Sequence, residues 1–134
     1  DPKSKSAVLE QLKVNSESKE QSISRINKTL FEDEVYNSLR KHIPSERLIM
    51  NFSTGGFLID IAVLPEDNYG RIVAIECDGS SLHQSPEAYA WDIFREKYLE
   101  KFGMKFIRVW SVNWWNNHER ELKRLIDYIN IPWQ

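Results

Sequence analysis

Two apolar runs, residues 57–64 and 71–77, are each broken by one carboxylate, Asp60 in the first and Glu76 in the second. Ile, Val and Leu dominate both runs, the composition of strands in the middle of a sheet covered on both faces. Side chains alternate between faces along a strand. Leu58, Asp60 and Ala62 therefore share one face, with Ile59, Ile61 and Val63 on the other; Ala74, Glu76 and Asp78 share a face opposite Val73, Ile75 and Cys77. Burying an ionised carboxylate is costly unless something compensates it. Two such groups on neighbouring strands, with a third two positions on, would repel one another. Two remedies exist. A divalent cation can stand between them, in which case hard oxygen donors favour magnesium, manganese or calcium over zinc. Alternatively, Lys or Arg from flanking elements can neutralise them, and Arg95 and Arg108 are the candidates. Composition leaves both open.

The rest of the chain frames these strands. Phe31, Val35, Leu39 and Ile43 recur at spacing four, marking one buried helical stripe that Pro44 closes. Thr29 is placed to cap that helix, with Glu32 in capping-box position. Residues 48–52 form a short apolar run, and Thr54-Gly55-Gly56 reads as a hairpin turn. Ser85-Pro86 offers an N-cap and a first-turn proline for a helix reaching about Phe102, stopped by Gly103. Residues 105–110 read as a strand, and residues 117–129 as a last helix with Leu122, Leu125, Ile126 and Ile129 inside. The order is helix, three strands, helix, strand, helix. A meander followed by a helical crossover predicts an α/β fold with a mixed four-stranded sheet and helices on both faces.

Residues 1–28 differ in character. Ala7, Val8, Leu9, Leu12 and Val14 suit a short helix, whereas residues 15–28 are rich in Ser, Lys, Glu and Gln and read as a linker or a weak solvated helix. The expected division is an N-terminal segment, 1–28, and a folded domain, 29–134. With 134 residues, the chain can hold one core. It begins with Asp1 and a polar stretch, which suggests a piece of a longer protein. Cys77 stands alone, ruling out an internal disulfide and fitting a reducing, cytoplasmic setting. No run of about 18 apolar residues suggests a membrane span. A net charge of −2 argues against non-specific coating of nucleic acid, though not against a local contact with DNA.

Taken together, Phe31-Glu32-x-x-Val35, Ile59-Asp60-Ile61-Ala62-Val63, Ala74-Ile75-Glu76-Cys77-Asp78-Gly79, His83, Asp92-x-x-Arg95 and Arg108-Val109-Trp110-Ser111 resemble one family. It is the branch of the PD-(D/E)XK nucleases similar to the very-short-patch repair endonucleases, which often sits at the C-terminus of superfamily 1 helicases. The resemblance covers about residues 30 to 130. It implies a restriction-endonuclease-like three-layer core and a magnesium- or manganese-dependent DNA endonuclease within a larger protein. It further implies that Asp60 is the central metal-binding acid, flanked by Glu76 and Asp78, with the backbone carbonyl of Cys77 as a further ligand. Glu32 would point at the same site, His83 would act as general acid or base, and Asp92 and Arg95 would face the centre from the second helix. Asp78 stands where the superfamily's name-giving lysine would be, a departure that the very-short-patch branch shares.

Each residue also has a plainer reading. Glu32 is then only a capping partner, His83 a solvated loop histidine, and Asp92 with Arg95 a surface pair. Trp114 and Trp115 read either as core caps or as a DNA wedge. Lys97, Lys101 and Lys105 form one basic face and Arg120, Lys123 and Arg124 another, each either solvated or tracking phosphates.

Overall fold

The structure, a computed structural model, describes residues 2–79 and 86–132, and describes side chains from residue 7 onward except at 14 and 17. The chain divides into two units, Asp1–Leu30 and Phe31–Gln134. Helix α1 (Pro2–Leu39) begins in the first and ends in the second. Residues 15–28 are thus helical rather than a linker. The reason lies in composition, since residues 3–43 hold no Gly or Pro and abound in Lys, Glu and Gln. The helix start expected at Thr29 does not exist. Its Oγ1 donates to the Arg25 carbonyl at 2.9 Å, the back-bond of a mid-helix threonine, so Glu32 is no capping-box partner. In the first unit Val8, Leu12, Ile23 and Ile26 are exposed.

In the second unit the stripe Phe31, Val35, Leu39 and Ile43 is buried. After Pro44 comes a 3-10 turn, Ser45–Arg47, and then β1 (Leu48–Thr54), β2 (Phe57–Val63) and β3 (Val73–Asp78). Helix α2 (Pro86–Lys101) crosses to β4 (Lys105–Trp110), and α3 (Ser111–Asn116) and α4 (His118–Asn130) follow. The sheet order is β1-β2-β3-β4. Its first two pairings are antiparallel and its last is parallel, as the α2 crossover requires. This is the mixed α/β architecture expected from the sequence. Gly103, at φ +83°, takes the left-handed position that ends α2.

Three layers result. One sheet face, through Ile61, Val63, Ile75, Cys77 and Val109, meets the end of α1, Trp114 of α3 and Leu125 of α4. The other, through Ala62 and Ala74, meets Leu99 of α2 and Met104. Ile59 departs from strict alternation, because it joins the second cluster with Ala62 rather than the first with Ile61. The break falls at Asp60, whose neighbour on β1 is Asn51, at φ +53°. Asn tolerates that conformation better than most residues with a Cβ, yet it rarely occurs inside a strand.

The short helix α3 was not expected from the sequence. It buries Trp114 completely, against Phe31 with ring centroids 6.4 Å apart. Trp114 is therefore a core residue and not a wedge, while Trp115 is exposed. A separate helix begins at His118 because the Asn117 side chain accepts from the Arg120 N–H. Asn117→Ala is expected to destabilise the domain by about 1 kcal/mol, read from the urea midpoint. Among the described residues, no helix is long and apolar enough to cross a membrane.

Candidate active site

The antiparallel ladder between β2 and β3 pairs Val63 with Val73, Ala62 with Ala74 and Ile61 with Ile75, and goes no further. Extending it by one step would set Asp60 opposite Glu76. Instead, the Asp60 carboxylate takes the next backbone donor itself, with Oδ2 accepting from the Cys77 N–H at 2.9 Å. A strand-edge N–H is thereby satisfied and one carboxylate is fixed in direction. Asp60 is 6% exposed and Glu76 2%.

The two acids act on each other. Burial, then the charge and hydrogen bond of Asp60, push the Glu76 carboxyl up from 4.5 to about 8, against the opposing pull of Arg95. At neutral pH a proton therefore resides in this pair. Glu76 Oε2 meets the Arg95 guanidinium at 3.1 Å. Its other oxygen, Oε1, is buried without a hydrogen-bond donor among the described residues, and Arg95 Nε is buried without an acceptor. Orphans of this kind are rare in a settled core.

Asp78 takes a different partner. It is ion-paired to Arg108 Nε of β4, and Arg108 also lies 3.9 Å from Asp92 of α2. The Arg108 guanidinium rests over Trp110 and Phe106, and that of Arg95 also lies over Phe106. Asp92 and Arg95 thus both lean on the sheet instead of forming only a helical surface pair. Both arginines named as neutralising partners do meet acids, Arg95 one and Arg108 two. Among the described residues, no group of three or more His, Cys, Asp or Glu side chains is arranged to hold a metal ion. The close pair is Asp60 with Glu76. Both offer hard oxygen donors, and the charge of Asp60 and burial together penalise ionised Glu76, a penalty that a divalent cation between them would relieve. Glu32 is buried near the end of α1, the layer across the sheet from α2. His83 and Ser85 lie outside the described residues.

Neither basic face is a plain row of free cations. Lys105 is buried, and its ammonium donates to the carbonyls of Tyr128 at 2.7 Å and Ile131 at 3.2 Å, ending α4. Burial lowers its pKa. It belongs to the core, leaving Lys97 and Lys101 exposed on α2. Arg124 binds Glu121 and the Arg108 carbonyl, and Lys123 binds Asp127, so most of the α4 face is internally paired. A cavity of about 310 Å³ at the opposite end of the strands is lined by Arg47, Arg71 and Lys105 among others. It lies far from the acids along the sheet, and Arg47 there serves Glu66 and the Leu64 carbonyl. Asn51 was missed from sequence, although an Asn inside an apolar run was a signal that could have found it.

A three-layer mixed sheet whose second and third strands part at a buried pair of acids is the architecture of a restriction-endonuclease-like protein. Residues 31–129 match the model of REase_MTES_1575, a restriction-endonuclease-like family, and the chain belongs to that family. No curated protein and no solved structure matches the chain.

Proposed function

We propose that this chain is a magnesium-dependent deoxyribonuclease that cuts phosphodiester bonds within DNA, as one module of a larger repair, restriction or helicase protein. The observation that carries this reading is the buried Asp60–Glu76 pair, two acids on neighbouring strands, one held by the Cys77 N–H and the other pushed up to about 8 by burial and by the charge of the first. Asp60, Glu76 and the Cys77 carbonyl would hold magnesium, or manganese in its place. When bound, the ion would supply Lewis-acid stabilisation of the phosphate and a more acidic water. The chain's own contributions are distinct. The Cys77 N–H orients Asp60, and Arg95 steadies Glu76 while presenting a guanidinium to a phosphate oxygen. Phe106 sits under both arginines and limits water around them. His83 is the candidate to move a proton near neutral pH.

The test is nicking of supercoiled plasmid in magnesium and in EDTA, for the chain and for Asp60→Ala. Cleavage that needs the metal and disappears in the variant supports the reading; nicking that survives the substitution removes it. A second reading is favoured by one specific observation, the capture of Asp78 by Arg108 in a chain lacking the motif lysine. It is a nuclease-fold module that binds DNA or a partner without cutting. Manganese or calcium titration separates the two, since a docking module shows no binding that depends on Asp60 and Glu76.

A further inference from the structure

Helix α2, with Phe102 just past its end, carries a stripe of aromatic rings along the margin of the core. Trp91 is 58% exposed, Phe94 53% and Phe102 66%. The rings form a continuous run. Trp91 and Phe94 lie 5.6 Å apart, Phe94 and Tyr98 6.1 Å, and Tyr98 and Phe102 4.8 Å, with Phe57 of β2 against both Trp91 and Tyr98. At 1.5 Å per residue, the stripe is about 16 Å long. Its buried neighbour on the helix is Leu99, so the rings border the core without entering it. An exposed apolar stripe of this size marks a binding surface.

Charge decides what it binds. At 3.6 residues per turn, Lys97 and Lys101 fall along the outer flank of the rings, whereas Glu96 and Glu100 fall on the far side of the helix. Of the acids on α2, Glu87 alone shares the aromatic face, one turn before Trp91. Lysines are depleted from protein–protein interfaces, and aromatic rings edged by lysine match bases edged by phosphates. The stripe lies on the same helix as Arg95, which contacts Glu76 at 3.1 Å. A duplex buries the faces of its bases and cannot use such rings.

We propose that the aromatic face of α2 is a stacking platform for single-stranded nucleic acid, with Lys97 and Lys101 following the phosphates. Its role in leading an unpaired strand to the Asp60–Glu76 pair rests on the nuclease reading; the binding itself does not.

The experiment is fluorescence anisotropy of a labelled oligothymidylate of about 15 nucleotides, in EDTA so that nothing is cut, against a blunt duplex of equal length. The single strand is expected to bind more tightly than the duplex. Trp91→Ala and Phe94→Ala should each weaken it roughly tenfold, and Trp91→Phe should retain most of the affinity. Lys97→Ala with Lys101→Ala should make the log–log salt slope shallower by about 1.4. Trp91→Leu preserves apolar cover without a π face, so it serves if the alanine variant melts early, and it too should bind weakly. Unchanged binding in a folded Trp91→Leu, Phe94→Ala double variant overturns the proposal. So does a shift from dimer to monomer in that variant with oligonucleotide affinity intact, which would make the face a contact between copies. Binding that needs Trp91 in a chain that never nicks DNA would keep this inference and end the nuclease reading. Metal-dependent nicking with no single-strand binding would do the reverse.

Discussion

Asp60→Asn is expected to yield a folded protein whose magnesium-dependent cleavage falls roughly a thousandfold or more. The substitution is nearly isosteric. The amide keeps an oxygen that can accept the Cys77 N–H, now met by Asp60 Oδ2 at 2.9 Å, so the opening of the β2–β3 ladder retains its shape. What disappears is the negative charge, and with it half of the pair that would hold the ion. The same change removes the second-largest cause of the upward shift at Glu76, the Asp60 charge. Glu76 then ionises more easily, beside Arg95 and without a rival. In metal-free buffer near pH 8 the variant should therefore be more stable than the parent chain, even as it loses activity, the pattern of a site selected for function over stability. Plasmid nicking together with thermal melts in EDTA and in manganese would read both effects. Cleavage within about tenfold of the parent would sink the assignment of Asp60 as metal-binding acid.

Much of the site was legible because an acid inside an Ile- and Val-rich run has few explanations. Asp60 and Glu76 announced themselves that way, as acids on neighbouring strands. Arg95 and Arg108 were visible as cations in reach, but their assignments needed the register. Parallel pairing sets Glu76 level with Arg108, yet Arg108 turns to Asp78 and leaves Glu76 to Arg95. Other features left no local trace. Thr29 looks like a cap because its side chain suits one, but helix propensity on both sides carries α1 through it. Lys105 looks like a surface lysine until the end of α4 and the residue after it present two carbonyls that require a donor. Trp114 could have been wedge or core, and only an unexpected turn of helix decided it. The aromatic stripe of α2 was hidden for the opposite reason, because rings at helical spacing read by default as core, and only exposure distinguishes the two.

Without metal, the domain is expected to lose stability as pH rises from about 4.5 to about 8, by something on the order of 3 kcal/mol. The native state holds a proton at Glu76 that the unfolded chain, with an ordinary carboxyl near 4.5, has already released. Between these values the folded state binds more protons, so stability falls with pH. The contribution is whole below 4.5 and gone above 8. Lys105 works in the other direction at the alkaline end, where its lowered pKa favours the native state as pH climbs toward 10.5. Urea midpoints at pH 5 and pH 8 in EDTA would measure the difference, and Glu76→Gln, a permanent mimic of the protonated acid, should flatten it. A divalent cation competes with that same proton, so stabilisation by manganese should grow with pH, reaching about 2.7 kcal/mol at a hundredfold excess over Kd. A midpoint indifferent to pH, or a slope unchanged in Glu76→Gln, would mean that the proton lies elsewhere. The Asp60–Glu76 pair would then be an ordinary salt-bridged corner of the sheet, with Arg95 as its sole counterion.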